Sequence, residues 1–140
     1  MVIAAQEIDI ATRANLQKFI VWAKKRHWHA LVWPSMPCDG GHTSAGVAIL
    51  ARSFVVLRHL WPHEDSAGTF VPHRVGCAVA SPPGGREFAL YTAYLVSGQG
   101  VGDRNTEIMQ KIAQHRLSHD WHCIVAGDVQ AQPTDWIQSP

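Results

Sequence analysis

Short apolar runs alternate with helical patterns along the chain, and the runs predict a series of β-strands. We expect strands near residues 2–5, 29–33, 46–52, 54–60, 73–80, 87–95 and 121–126. The run at residues 2–5 is typical of a buried strand. Both alternating faces of the run at residues 87–95 are mostly apolar, so we expect that strand to be covered on both sides.

Two helices are predicted between these strands. The first spans about residues 12–25, where apolar residues recur on one helical face, namely Leu16, Phe19, Ile20 and Ala23. The second runs to about residue 117, with Asp103 as its cap and Ile108 and Ile112 on its inner face. The element order therefore favours a mixed α/β (α+β) fold in which helices flank sheets.

Composition limits the classes of protein that fit. The chain has 140 residues, of which 46% are hydrophobic and 16% charged, which predicts one folded domain over residues 1–140. A net charge of +1 gives no general attraction for polyanions, so nucleic-acid binding would need a local site. No apolar run reaches the roughly 20 residues of a membrane span, and residues 1–6 are too short for a signal peptide. Three scattered cysteines fit a reducing compartment, so we expect an intracellular protein, cytoplasmic or nuclear.

Polar residues with metal or phosphate chemistry stand at the ends of predicted strands. Glu7 follows the first apolar run, Tyr94 lies near the end of a central strand, and Asp128 follows the last one. Carboxylate oxygens suit Mg²⁺, and strands hold them rigidly. From spacing alone, a helix-start acid and a turn residue remain the favoured alternative for the two acids.

Four segments, in order, resemble motifs of the endonuclease/exonuclease/phosphatase superfamily, which includes exonuclease III-like abasic-site nucleases, DNase I and retrotransposon endonucleases. They read VIAAQE (residues 2–7), SAGVAIL (44–50), LYTAY (90–94) and IVAGDVQAQP (124–133). Retrotransposon-type endonucleases look most similar. The resemblance implies a partial four-layer αββα sandwich of the DNase I-like type. It also implies an incomplete domain, with the family's first and last parts lying outside the chain.

The resemblance also implies roles for individual residues. Glu7 matches the glutamate that binds the catalytic Mg²⁺ (or Mn²⁺), and Tyr94 the tyrosine that hydrogen-bonds near the scissile phosphate. Asp128 matches the aspartate that positions or deprotonates the attacking water. Gln130 stands where the family has an asparagine, and its side chain is one methylene longer.

The function implied is metal-dependent phosphodiester hydrolysis of nucleic acid, with DNA favoured over RNA. An alternative stays open, because several of the family's catalytic residues would lie outside this chain. The chain would then be a catalytically inactive fragment, either an interaction module or a vestigial retroelement-derived segment.

Three other features have two interpretations each. His115, His119 and His122 have spacing that a zinc site can use, but structural or solvent-facing histidines are favoured. The basic run at residues 24–26 can contact a nucleic-acid backbone, but a solvated helix end is favoured. Trp33, at a strand end, is a candidate for base stacking, although tryptophans are mostly core residues.

Overall fold

A computed structural model describes residues 1–39, 43–60 and 73–128. Within these ranges the elements are β1 (Val2–Gln6), α1 (Arg13–Lys25), β2 (Trp28–Trp33), β3 (Met36–Pro37), β4 (Thr43–Ser44), β5 (Val47–Arg52), β6 (Val56–His59), β7 (Val75–Ser81), β8 (Phe88–Tyr94), α2 (Asp103–Leu117) and β9 (Cys123–Asp128). Both helices lie where the sequence predicts them. Neither is long and apolar enough to cross a membrane, a statement that covers the described ranges.

The strands form two main sheets. The first has the order β1–β5–β2 and is antiparallel throughout. The second has the order β6–β7–β8–β9, in which β8 and β9 are parallel because α2 connects them. The short strands β3 and β4 pair separately, within a segment whose prolines and glycines predict only a loop.

The sheets and helices stack in four layers. Ile49 of β5 packs against Ala78 and Leu90 of the second sheet, so the two sheets face each other. On the far side of the second sheet, Ile108 and Ile112 of α2 pack on a cluster of buried residues from β7 and β8. The helix α1 packs against β2 on the outer side of the first sheet. This arrangement confirms the predicted αββα sandwich.

The central strand β8 has the two covered faces that its sequence predicts. Leu90 faces the other sheet, while Tyr91 and Ala93 face α2. A parallel neighbour on one side and an antiparallel neighbour on the other leave its backbone paired along both edges. The end of this strand is therefore a rigid place from which to present a side chain.

Three local predictions need correction. The first strand forms but is not fully buried, because β1 is at the edge of the described sheet and Ile3 is 39% exposed. The predicted strand at residues 54–60 starts two residues later, and Phe54 is exposed in the preceding turn. Asp103 does not cap α2. The capping position belongs to Gly102, and Asp103 lies in the first turn, where a negative charge favours the helix dipole.

Candidate active site

The three predicted site residues at strand ends lie close together. Tyr94 and Asp128 are the last residues of β8 and β9 and are direct partners across the parallel ladder. Glu7 follows β1 in the opposite sheet, and the Tyr94 hydroxyl donates a hydrogen bond to its Oε1 at 2.5 Å. The facing sheets thus bring residues far apart in the chain to one edge of the sandwich.

The backbone of Glu7 has a left-handed conformation, with φ of +54°. Non-glycine residues seldom adopt it, and surrounding contacts must maintain it. Such contacts exist, since the Ile8 amide donates to the Gly46 carbonyl at 3.2 Å and the Gly46 amide donates to the His73 carbonyl at 2.7 Å. Gly46 has φ of +90°, and a Cβ there would lie 2.4 Å from the Ile8 oxygen, so only glycine fits.

A polar link between the sheets fixes Glu7 above Tyr94. The amide of Gln6 donates to the Thr92 hydroxyl at 2.8 Å, and that hydroxyl donates to the Ala5 carbonyl at 3.4 Å. Thr92 is fully buried. Because buried polar groups are costly to leave without partners, this link favours one relative position of β1 and β8.

The close approach of β9 to β8 depends on Gly127. A Cβ at this position would lie 2.1 Å from the carbonyl oxygen of Ala93, which is backbone and cannot turn away. Since Gly127 immediately precedes Asp128, its lack of a side chain lets the Asp128 carboxylate stand beside Tyr94.

A cation that the sequence analysis missed lies beside Tyr94. The Arg74 guanidinium donates to the Tyr94 carbonyl at 3.3 Å, and its Cζ lies 5.3 Å from the Tyr94 ring centroid. Burial and the nearby charge of Arg104 lower the pKa of Arg74, but an arginine stays charged at neutral pH. The order of the strands could have indicated this position. Arg74 comes just before β7, and because β7 is antiparallel to β8, the start of β7 lies beside the end of β8, where Tyr94 is.

The loop after β8 is fixed by a second residue that the sequence analysis missed. Asn105 is fully buried and accepts from the Val96 amide at 2.7 Å. Its Nδ2 donates to the carbonyls of Val96 and Gly100, at 3.1 and 2.9 Å. This loop carries Ser97, whose Oγ lies 3.4 Å from the Tyr94 hydroxyl oxygen.

The donor set at this edge fits Mg²⁺ or Mn²⁺ held by few protein ligands. Glu7 and Asp128 are exposed carboxylates, and Mg²⁺ usually binds through one or two carboxylates, with waters and substrate phosphates as its other ligands. In the described ranges no three or more His, Cys, Asp and Glu side chains are grouped closely enough to hold a metal ion.

Comparison with known proteins identifies the fold. No family model and no curated protein matches the chain. The catalytic domain of human Nocturnin, solved with a bound sulfate, superimposes with a TM-score of 0.60 at 16% identity, over 95% of this chain and 52% of that domain. ANGEL2, a 2',3'-cyclic phosphatase solved with adenosine-2',3'-vanadate, gives a TM-score of 0.60 at 12% identity, over 94% of this chain and 40% of its own. The chain has the DNase I-like fold. Both neighbours belong to the endonuclease/exonuclease/phosphatase superfamily.

This chain spans about half the length of these DNase I-like neighbours. The endonuclease domain of TRAS1, a telomere-specific non-LTR retrotransposon, aligns less well, with a TM-score of 0.49 at 13% identity over 95% of this chain and 61% of that one. That likeness is too distant to decide a subfamily, so the resemblance to retrotransposon-type endonucleases stays a prediction.

The remaining candidate residues lie elsewhere in this DNase I-like fold or outside the described residues. Gln130 is outside the described ranges. Trp33 is partly buried, and its ring packs against the second sheet, where a Cβ on Gly76 would lie 2.3 Å from Cε3. These contacts favour a core role for Trp33. The sequence offers one sign of this packing, which is Gly76. Its missing side chain provides the space for the Trp33 ring.

The histidines near the end of α2 have structural surroundings. His115 is buried, and its Nδ1 lies 2.8 Å from the Tyr91 hydroxyl. Burial, with a smaller contribution from His119, lowers the pKa of His115 to about 4. The His119 ring stacks on Trp121 at a centroid distance of 5.1 Å. These contacts explain the two histidines without a metal.

Proposed function

We propose that this chain carries a phosphodiesterase site of the nuclease type, dependent on Mg²⁺ or Mn²⁺ and acting on nucleic acid. The observation that carries the proposal is the convergence of Glu7, Tyr94 and Asp128 at one edge of a DNase I-like sandwich. The fold gives general support, because the structural neighbours with this fold are nucleases or phosphatases of one superfamily. The roles proposed for Glu7, Asp128 and Gln130 are those that the family resemblance implies, and the chemistry of these residues agrees with them.

Glu7 would hold the metal ion, and Tyr94 would orient the Glu7 carboxylate. The Tyr94 hydroxyl donates to Oε1 of the Glu7 carboxylate. This contact fixes the orientation of the carboxylate, so that Oε2 would face the metal ion. When bound, the metal ion offsets the negative charge that develops on the phosphate oxygens. Arg74 adds a fixed positive charge behind Tyr94.

Asp128 would act on the water. Its carboxylate is exposed beside Tyr94, where it can accept a proton from a water molecule aligned with the phosphorus atom. The water oxygen then forms the new P–O bond, the bond to the departing nucleoside oxygen breaks, and that oxygen gains a proton from solvent. Gln130, two residues further on, is proposed as a phosphate contact.

The substrate is proposed to be DNA in preference to RNA, on the resemblance of the motifs to those of DNA endonucleases. An intracellular location, cytoplasmic or nuclear, is part of the same proposal and agrees with three free cysteines. We propose that residues 1–140 form one incomplete domain of this type.

Cleavage of matched oligonucleotides tests the proposal. End-labelled DNA and RNA of the same sequence are incubated with the full chain in Mg²⁺, in Mn²⁺ and in EDTA. We expect metal-dependent cleavage, and a loss of at least about a hundredfold in Glu7→Gln and in Asp128→Asn. Asp9→Asn is the matched control, because Asp9 is an exposed carboxylate nearby whose described partner is the Thr43 hydroxyl. Its rate should stay within about twofold of the unmodified chain.

The same assay separates the alternative of an inactive interaction module. That alternative predicts a folded chain that cleaves neither oligonucleotide in any metal. Cleavage that Glu7→Gln and Asp9→Asn reduce equally would also contradict the proposed site, since it would show that Glu7 has no special part.

A further inference from the structure

The helix α1 carries a one-sided charge that the proposed active site does not use. Residues 10–38 contain five lysine or arginine residues and no aspartate or glutamate, although the whole chain has a net charge of only +1. The five are Arg13, Lys18, Lys24, Lys25 and Arg26, all exposed. A helix that is merely solvated usually mixes both signs along its outer face, so this one is unusual.

Exposed aromatic and apolar side chains lie among these charges. Trp22 is 44% exposed and Val21 is 42% exposed, and both line a shallow groove together with Lys18, Lys25 and Arg26. The guanidinium of Arg26 lies over the Trp22 ring, with 4.8 Å between Cζ and the ring centroid. The Trp22 ring is therefore ordered before any partner arrives, which lowers the entropy lost on binding.

A second aromatic–cation pair extends this surface onto the first sheet. Arg52 lies over Trp28 at 4.4 Å, and its Nη1 donates to the carbonyl of Arg26 at 3.3 Å. These residues are at the end of β5 opposite Val47, the partner of Gln6 beside the candidate active site. Five residue steps of about 3.4 Å separate the two ends, or about 17 Å.

We propose that this basic aromatic surface, formed by Lys18, Trp22, Lys25, Arg26, Trp28 and Arg52, binds a single strand of nucleic acid. The lysines and arginines would contact successive phosphates. One face of the Trp22 ring stacks on Phe19 and the other supports the Arg26 guanidinium, so a base would stack on that guanidinium above Trp22. The proposal goes beyond the proposed hydrolysis, because it assigns a binding site on the opposite end of the first sheet from the strand ends that carry the catalytic candidates.

The features of the surface favour nucleic acid over an anionic membrane. Two exposed apolar side chains give little area to insert among lipid chains, whereas membrane-surface helices present a broad apolar face. Flat rings and guanidinium groups beside positive charges match stacked bases and phosphates. Charge complementarity supplies the affinity, and the rings supply the preference for unpaired bases.

Binding of a fluorescent twelve-nucleotide thymidine oligomer to the full chain tests the proposal. The titration is done in EDTA, so that no cleavage occurs and the outcome does not depend on the proposed enzyme activity. We expect Lys18→Gln/Lys25→Gln, which changes two exposed lysines of the groove, to weaken binding about tenfold. It should also reduce the slope of log K against log salt by about 1.4, or about 0.7 for each phosphate that the variant no longer neutralises. Trp22→Ala should weaken binding about tenfold with an unchanged salt slope.

Two controls make the result decisive. Arg86→Gln/Arg116→Gln removes the same charge from exposed positions elsewhere and should bind like the unmodified chain. Vesicles containing phosphatidylserine test the membrane alternative. The proposal is overturned if the chain does not bind the oligomer, if both double variants lose the same affinity, or if the α1 variants lose vesicle binding but keep oligomer binding. Should Trp22→Ala fail to fold, the double lysine variant, whose changes are on exposed side chains, still decides.

Discussion

Substitution of Gly127 by alanine tests how the fold aligns the candidate site. The added Cβ would lie 2.1 Å from the Ala93 oxygen and 3.0 Å from the Ala93 carbonyl carbon. Both atoms are backbone in the middle of a paired sheet, so they cannot rotate away. The end of β9 must therefore move, and it carries Asp128 with it.

The magnitude follows from the distance between the two atoms. An ordinary contact of a Cβ begins at 3.4 Å, so relief of the clash requires a shift of about 1.3 Å. Overpacking of this kind costs about 1–3 kcal/mol of unfolding free energy. A displacement of about 1 Å at a catalytic group can reduce a rate about a hundredfold. We therefore expect a stability loss of a few kcal/mol with a loss of activity far larger than unfolding explains.

Gly84→Ala is the matched control. Gly84 has a positive φ, of +68°, and an added Cβ there meets nothing within 4 Å. It should lose about 1 kcal/mol from backbone strain and keep its cleavage rate. The assay compares urea unfolding with metal-dependent cleavage in the two variants. Unchanged stability and rate in Gly127→Ala would refute the close packing of β9 on β8.

Three further predictions concern the site and its support. Tyr94→Phe removes the donor to Glu7 and should reduce cleavage roughly tenfold to a hundredfold while changing the melting temperature little; equal activity would exclude an orienting role. Asn105→Ala removes the buried side chain that accepts from the Val96 amide and donates to the carbonyls of Val96 and Gly100, and should cost about 1–3 kcal/mol in urea unfolding; a loss below about 0.5 kcal/mol would contradict this. The lowered pKa of His115, about 4 against 6.5 when unfolded, means that the unfolded chain binds the proton first, so stability is complete above pH 6.5 and falls by up to about 3 kcal/mol towards pH 4. Urea unfolding across this pH range checks it, with His115→Gln as the variant that should lose the dependence.

Strand and helix positions were predictable where the hydrophobic pattern is strong. The two-sided apolar strand that became β8 and the inward face of α2 at Ile108 and Ile112 are direct consequences of periodicity. The hydrophobic pattern does not predict features that depend on strand pairing or on which residue takes a helix cap. The β3–β4 pair was missed because Pro37 and nearby glycines read as a loop, and Asp103 was misread because Gly102 takes the capping position.

The candidate site was partly predictable. The motifs identify Glu7, Tyr94 and Asp128, but the sequence does not show that the Tyr94 hydroxyl reaches Glu7, since this contact depends on how two sheets stack. The left-handed backbone of Glu7 was also hidden, because a glutamate gives no signal for that conformation and the neighbouring Ile8 amide finds its partner in distant Gly46. Supporting residues such as Asn105 look ordinary in sequence because their importance comes from burial.

A double-mutant cycle on the metal-dependent cleavage rate tests most directly that Glu7 and Asp128 act in one site. The measurement compares kcat/KM in Mg²⁺ for the unmodified chain, Glu7→Gln, Asp128→Asn and the double variant. If the two carboxylates act together, each single variant should lose about a hundredfold or more, and the double variant should lose little beyond the worse single one. Losses that multiply, or single variants that cleave at the unmodified rate, would contradict a shared site at the ends of β1 and β9.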